Sequence, residues 1–132
     1  MIDSLDHLVM TIEDEAATRR FYETGLGMHW VSFGQGRHAL AFGAQKINIH
    51  YAGREFEPKA AKPTPGSQDL CFLTSADLDQ VAGRLRKLGF SVIEGPVDRT
   101  GAQGPLRSIY FRDPDQNLIE VSNQQQKMRP FP

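Results

Sequence analysis

The sequence predicts an α+β fold built as two tandem βαβββ modules. Three observations predict it. The order strand, helix, strand, strand, strand runs twice along the 132 residues. Each helical stretch stops on glycine, at Gly25 and Gly27 in the first half and at Gly89 in the second. The halves also match locally, "LDHLVMTI" against "SQDLCFLT" and "FGAQKINIHY" against "DPDQNLIEVS". Repetition on this scale is an architectural signal.

The first module is expected over about 3–53. "LDHLVMTI" (5–12) is an apolar, β-prone run in which Asp6 and His7 are the polar exceptions. "EDEAATRRFYETGLGM" opens on acids and can place Ala16, Phe21, Tyr22 and Leu26 on one helical face. "HWVSF", "HALAF" and "KINIHY" are short strands, parted by the turn formers Gly34-Gln35-Gly36 and Gly43-Ala44-Gln45. Residues 54–66 carry three prolines and no apolar period, so they read as a connector.

The second module is expected over about 67–123. "QDLCFLTS" is a strand, and "ADLDQVAGRLRKLGF" an amphipathic helix with Leu78, Val81, Leu85 and Leu88 on one face. "SVIEGPV", "RSIYF" and "NLIEVS" complete the order, with "GAQGP" as a turn. The polar, proline-bearing end, 124–132, reads as a loose tail of a single domain spanning 1–132.

Composition narrows the function. A formal net charge of −1, with Lys and Arg scattered, gives no footprint for nucleic acid or an anionic membrane. No apolar run approaches the ~20 residues that span a bilayer. The single cysteine, Cys71, cannot form an internal disulfide and suits a reducing compartment. A soluble, cytoplasmic protein is the expectation.

Glu120 poses the sharpest question, because it interrupts the apolar strand "LIEVS". A carboxylate turned into a cavity needs a partner, since an unpaired buried charge is costly. The internal match sets Asp69 where the first half has His7. It also sets Asn48, or His50 after a two-residue slip, where the second half has Glu120. Strand side chains alternate, so Asn48 and His50 share a face in either register.

With these residues the chain resembles the vicinal-oxygen-chelate superfamily, the glyoxalase, bleomycin-resistance and dioxygenase fold. The stretches "DHLVMTI…FYETGLGM" and "YFRDPDQNLIEVS" carry the resemblance over roughly 3–123. The connector and last-strand regions are similar to a subgroup of small glyoxalase-domain proteins, some described as virulence-associated. The resemblance implies paired modules forming an open, curved-sheet cup that holds a divalent metal ion. It matches His7 to the family's first-strand histidine and Glu120 to its last-strand glutamate. Asp69 stands where a glyoxalase commonly has histidine, and Asn48 where it commonly has glutamate.

Chemically, His7, His50 and Glu120 make a two-histidine, one-carboxylate set that suits Zn, Ni, Mn or Fe with positions open for substrate. Asp69 and Asn48 are further candidates, as ligands or as partners that orient one. His29 and His38 lack a matching carboxylate and are read as surface or cup-lining. Tyr110 and Trp30 are candidate substrate contacts, against the plainer reading of core aromatics. Cys71 alternates with Asp69 and can see the same face, with no neighbour to activate it. The expected function is a metal-dependent, glyoxalase-like lyase or isomerase acting on a vicinal-oxygen substrate. The alternatives are an Fe(II)-dependent extradiol-type dioxygenase and a metal-free ligand-binding protein. A homodimer is implied by the resemblance and by sheet edges that need covering.

Overall fold

The computed structural model describes residues 1–125, and the rest of the expected tail lies outside the described residues. The chain forms two compact units. One comprises Met1–Gln68 with Pro114–Asn117, the other Asp69–Asp113 with the chain from Leu118 onward. Each holds one βαβββ module and one open four-stranded sheet of mixed direction.

In the first unit, β1 (His7–Ile12) leads into helix α1 (Glu15–Arg19), followed by β2 (His29–Phe33), β3 (Arg37–Phe42) and β4 (Gln45–Tyr51). The sheet order is β1-β4-β3-β2, with β1 parallel to β4 and the other pairs antiparallel. Asp14 caps α1 by accepting from the Ala17 amide at 2.9 Å. The helix then widens into a π-helical turn over Arg20–Gly25, where the Leu26 amide reaches back to the Phe21 carbonyl at 3.0 Å. The buried face keeps the i, i+3, i+4, i+7 spacing of an α-helix. Thr18, Phe21, Tyr22 and Gly25 are buried, whereas Ala16, expected on that face, is exposed.

Alternation along the strands gives the first sheet two unlike faces. Met10, Ile12, Leu40, Ile47 and Ile49 form one of them, each at most 1% exposed. The helix lies on this side: the Tyr51 hydroxyl donates to Glu15, and the Arg19 guanidinium sits 4.9 Å above the Trp30 ring. Full burial of each such aliphatic or aromatic side chain stabilises by roughly 1.5–3 kcal/mol.

The connector is more than a spacer. It folds within the first unit, over the face away from α1. Phe56 packs against His50 at 5.8 Å and under Arg37 at 4.8 Å. Its far end is tied down where the Gln68 amide N–H donates to Asn117 Oδ1 at 2.8 Å and the Gln68 side chain donates to the Val9 carbonyl at 3.2 Å.

The second unit repeats the plan with β5 (Asp69–Leu73), α2 (Leu78–Lys87), β6 (Glu94–Gly101), β7 (Gly104–Arg112) and β8 (Leu118–Gln124), in sheet order β5-β8-β7-β6. Asp77 caps α2 through the Asp79 amide, and Arg84, Arg86 and Lys87 oppose the helix dipole at its end. Leu78, Ala82 and Leu85 are its buried residues, so Ala82 rather than Val81 centres the stripe. Ile109, Phe111, Ile119 and Val121 supply the sheet side of this core. Between Glu94 and Val97 the β6–β7 register shifts at a bulge. Gly95 makes it possible: its φ is +108°, and a Cβ there would collide with the Ser108 carbonyl oxygen.

Candidate functional site

The strand registers settle the two-residue ambiguity. Asn48 pairs with Val9, two residues beyond His7, and Glu120 pairs with Cys71, two residues beyond Asp69. Asn48 is therefore the first-module counterpart of Glu120, and His50 the counterpart of Ser122.

His50 does not join His7. His50 pairs with Thr11 while His7 pairs with Lys46, an offset of four residues or roughly 13 Å along the strands. Side chains stand nearly perpendicular to a sheet, so the two rings share a face without converging. Donors to one ion lie within about 4 Å of each other at metal–ligand bonds of about 2 Å. The expected set of His7, His50 and Glu120 does not fit as a preformed centre. Among the described residues no three His, Cys, Asp or Glu side chains form a group able to hold a metal ion.

His7 is exposed at the start of β1, and its Nδ1 lies 2.8 Å from Asp6 Oδ1. A carboxylate can only accept, so in the neutral imidazole the proton sits on Nδ1 and Nε2 keeps its lone pair. A carboxylate behind an imidazole is how ligand and base histidines are commonly oriented.

Glu120 stands on the face of its sheet away from α2, half-buried at the centre of β8. Its Oε2 accepts from Ser108 Oγ at 2.6 Å and from Ser122 Oγ at 3.3 Å, and the two serines lie 2.6 Å apart. Both serines are 0% exposed, so this shell is fixed by packing. Tyr110 pairs with Glu120 across the β7–β8 ladder. Its hydroxyl accepts from Arg99 Nε at 2.9 Å, and Arg99 in turn reaches Glu94 at 3.3 Å. Burial raises the Tyr110 phenol, Arg99 pulls it back, and the Glu120 charge raises it again. The phenol keeps its proton at neutral pH and has it to donate.

Asp69 and Cys71 are exposed on the same face as Glu120. The Cys71 sulfur contacts Ser122 Oγ at 3.4 Å, and burial pushes its thiol up, with the Glu120 charge adding to the rise. Cys71 is a thiol here, not a nucleophile.

Trp30, expected against substrate, is instead on the α1 side of its sheet. It pairs with Leu40 and lies between Arg19 and the His38 ring, which stacks on it at 5.1 Å. His38 also bonds Ser32 Oγ at 3.0 Å, and His29 is exposed on the opposite face.

On that opposite face of the first sheet, Asn48 and His50 are 6% and 2% exposed. Asn48 Oδ1, His50 Nδ1 and Arg37 Nε are buried polar atoms without a hydrogen-bond partner. Burial holds the His50 imidazole below its ordinary range, and the Arg37 charge lowers it further. A cavity of about 400 Å³ lies over His50, with Val9 and Thr11 on its floor and connector residues 58–64, together with Ser67 and Gln68, among its walls.

Composition gave no sign of Ser108. Ser122 was findable, because it follows Glu120 by two residues and so shares its face. Arg99 was not, since a bulge carries it into place.

A family model described as the Glyoxalase/Bleomycin resistance protein/Dioxygenase superfamily matches residues 4–121. The virulence protein STM3117 of Salmonella typhimurium is 57% identical over 122 residues, 92% of this chain and 85% of that protein. Its crystal structure superposes with a TM-score of 0.89, covering 93% of this chain and 98% of that one. The glyoxalase domain-containing protein RDO1 of Mycosarcoma maydis is 58% identical over 124 residues, 94% of this chain and 70% of its own length. An integron cassette protein from the mobile metagenome of V. cholerae, 55% identical, superposes at a TM-score of 0.91 over 95% of this chain and 98% of its own.

Proposed function

The chain belongs to the glyoxalase/bleomycin resistance protein/dioxygenase superfamily, and from that premise we propose that it is a glyoxalase-like lyase or isomerase dependent on a divalent metal. Its substrate is a small molecule with two adjacent oxygens. Glu120 and His7 are its working groups.

One observation carries this reading. The Glu120 carboxylate is held by two buried hydroxyls, and no basic side chain is paired with it among the described residues. Both serines meet Oε2, and the Tyr110 phenol and the Cys71 thiol also interact with the carboxylate. Such a carboxylate is oriented without being neutralised, the state a base or ligand needs. Tyr110, carrying its proton, can donate to a substrate oxygen on which charge develops. His7, with Nδ1 engaged by Asp6, offers Nε2. Asp69 and Asn48, each one step along its sheet, are the further oxygen donors.

A divalent ion, when bound, would supply Lewis acidity toward the paired oxygens of the substrate. Metal analysis of the full chain, purified without chelators or a nickel column, tests the reading. Stoichiometric metal in the wild type, lost in His7→Ala and in Glu120→Ala, is expected. Substoichiometric metal in all three overturns it. The family premise also supports a homodimer, and the exposed Val9 (39%), Val31 (37%) and Leu73 (62%) fit a covered surface. Monomeric sedimentation at micromolar concentration would remove that part.

A further inference from the structure

The bulge in β6 changes which side chains meet Tyr110. Glu94 stands opposite Tyr110 in the β6–β7 ladder, whereas Val97 stands opposite Ser108, one residue out of step. In a regular strand two residues five apart point to opposite faces. The extra residue reverses that parity beyond it, and Arg99 comes to stand opposite Leu106. Glu94 and Arg99 therefore share the face of Tyr110 and Glu120. Gly95 holds the bulge against the backbone of Ser108, the residue whose hydroxyl grips Glu120.

Valence fixes the direction of each hydrogen bond. A guanidinium has donors only, so the Tyr110 oxygen accepts from Arg99 Nε at 2.9 Å. The phenolic proton must then point elsewhere. The phenol also interacts with Glu120, a carboxylate that can only accept. Arg99 is itself anchored: Nη1 donates to the Asp98 carbonyl at 3.0 Å and Nη2 to Glu94 Oε1 at 3.3 Å. Its guanidinium carbon lies 5.4 Å from the centre of the Tyr110 ring. The series Glu94, Arg99, Tyr110, Glu120 thus alternates acceptor and donor along one face of the sheet.

We propose that Arg99 is a positioning residue: seated by the bulge and by Glu94, it occupies the Tyr110 oxygen and turns the phenolic proton toward Glu120 and a substrate oxygen beside it. Without that partner the O–H rotates about its C–O bond and is shared with solvent. With it, the donor is aimed before charge develops and needs no reorganisation when it does. A bond received from a cation also polarises the phenol and strengthens the one it gives. The proposal rests on reading Glu120 as the working carboxylate, and it adds what holds the neighbouring donor ready.

The hydrogen-bond state of Tyr110 tests this in the full chain at neutral pH, without added metal. The tyrosine doublet in Raman spectra reports it, because the ratio of its two bands falls when a phenol donates without accepting. The chain has three tyrosines, and subtracting the spectrum of Tyr110→Phe isolates the one in question. In an Arg99→Ala background the ratio for Tyr110 is expected to fall. Arg99→Lys, which keeps one donor, is expected to hold it near the wild-type value. Arg99 is 39% exposed on an edge strand, so the melting temperature of Arg99→Ala is expected to stay nearly unchanged. Arg107→Ala is the control, since Arg107 pairs with Asp98 in the same hairpin, away from Tyr110. An unchanged ratio in Arg99→Ala overturns the proposal, and so does an equal fall in Arg107→Ala. Metal content of the same samples judges the reading of Glu120 separately: a metal-free wild type removes that reading, while the doublet still decides the role of Arg99.

Discussion

Ser108 Oγ donates to Glu120 Oε2 at 2.6 Å from a position with no solvent exposure. The same oxygen lies 2.6 Å from Ser122, so one hydroxyl serves two polar groups. Ser108→Ala leaves both short of a partner. A loss of about 1–3 kcal/mol in urea denaturation is expected, larger than for an exposed serine. A change below about 0.3 kcal/mol would mean that the hydroxyl does not hold Glu120.

Asp6 presents the opposite case. Its pair with His7 is exposed, with side chains 88% and 43% accessible, so it contributes little to stability. Asp6→Ala is expected to leave the melting temperature nearly unchanged while weakening metal retention about tenfold. Unaltered metal content would show that Asp6 does not orient a ligand.

Gly66 has a φ of +83°, and a Cβ there would stand 2.5 Å from the Asp115 carbonyl oxygen. Gly66→Ala combines left-handed strain with a backbone collision that cannot move aside cheaply. A loss of about 1–3 kcal/mol is expected by thermal or chemical unfolding. Wild-type stability would show that residues 114–117 give way.

Tyr51 makes stability fall in alkali. Burial, and then the hydrogen bond to Glu15, push its phenol up to about 12 from 10.0. Between those values the unfolded chain has released a proton that the folded chain keeps. Stability is therefore full below pH 10 and declines as pH rises toward 12. Urea midpoints at about pH 9 and about pH 11 are expected to fall further in the wild type than in Tyr51→Phe. Equal falls would sink the assignment.

Much of the fold was legible because strands advertise themselves by alternation and helices by a wider period. "KINIHY" and "NLIEVS" read correctly as matching strands for that reason. Their alignment stayed open between two registers, because a slip of two residues preserves the face and leaves Asn48 and His50 equivalent to the eye. Only the β1–β4 ladder separates them. The face of the first helix was misjudged because small Ala16 was counted as core while Thr18, at the regular spacing from Phe21, Tyr22 and Gly25, is the residue buried there. Trp30 was ambiguous because "HWVSF" sets aromatic and polar residues on both faces. The connector's role was invisible, since a segment held by side-chain ties and local hydrogen bonds leaves no period to detect.

Residues 114–117 belong with the first unit although nearly all of the second precedes them in the chain. A nascent chain released as far as Gln68 has every strand of the first sheet. It still lacks Asn117, whose side chain receives the Gln68 amide, and the carbonyl of Asp115 against which Gly66 is fitted. N-terminal parts of a protein usually fold first on the ribosome. Here the order of starting and the order of finishing differ. The first module can begin as soon as its strands emerge, but the rim that anchors its connector waits until β7 has been made. The two modules are thus tied in time, and the connector of the first can reach its final place only near the end of synthesis.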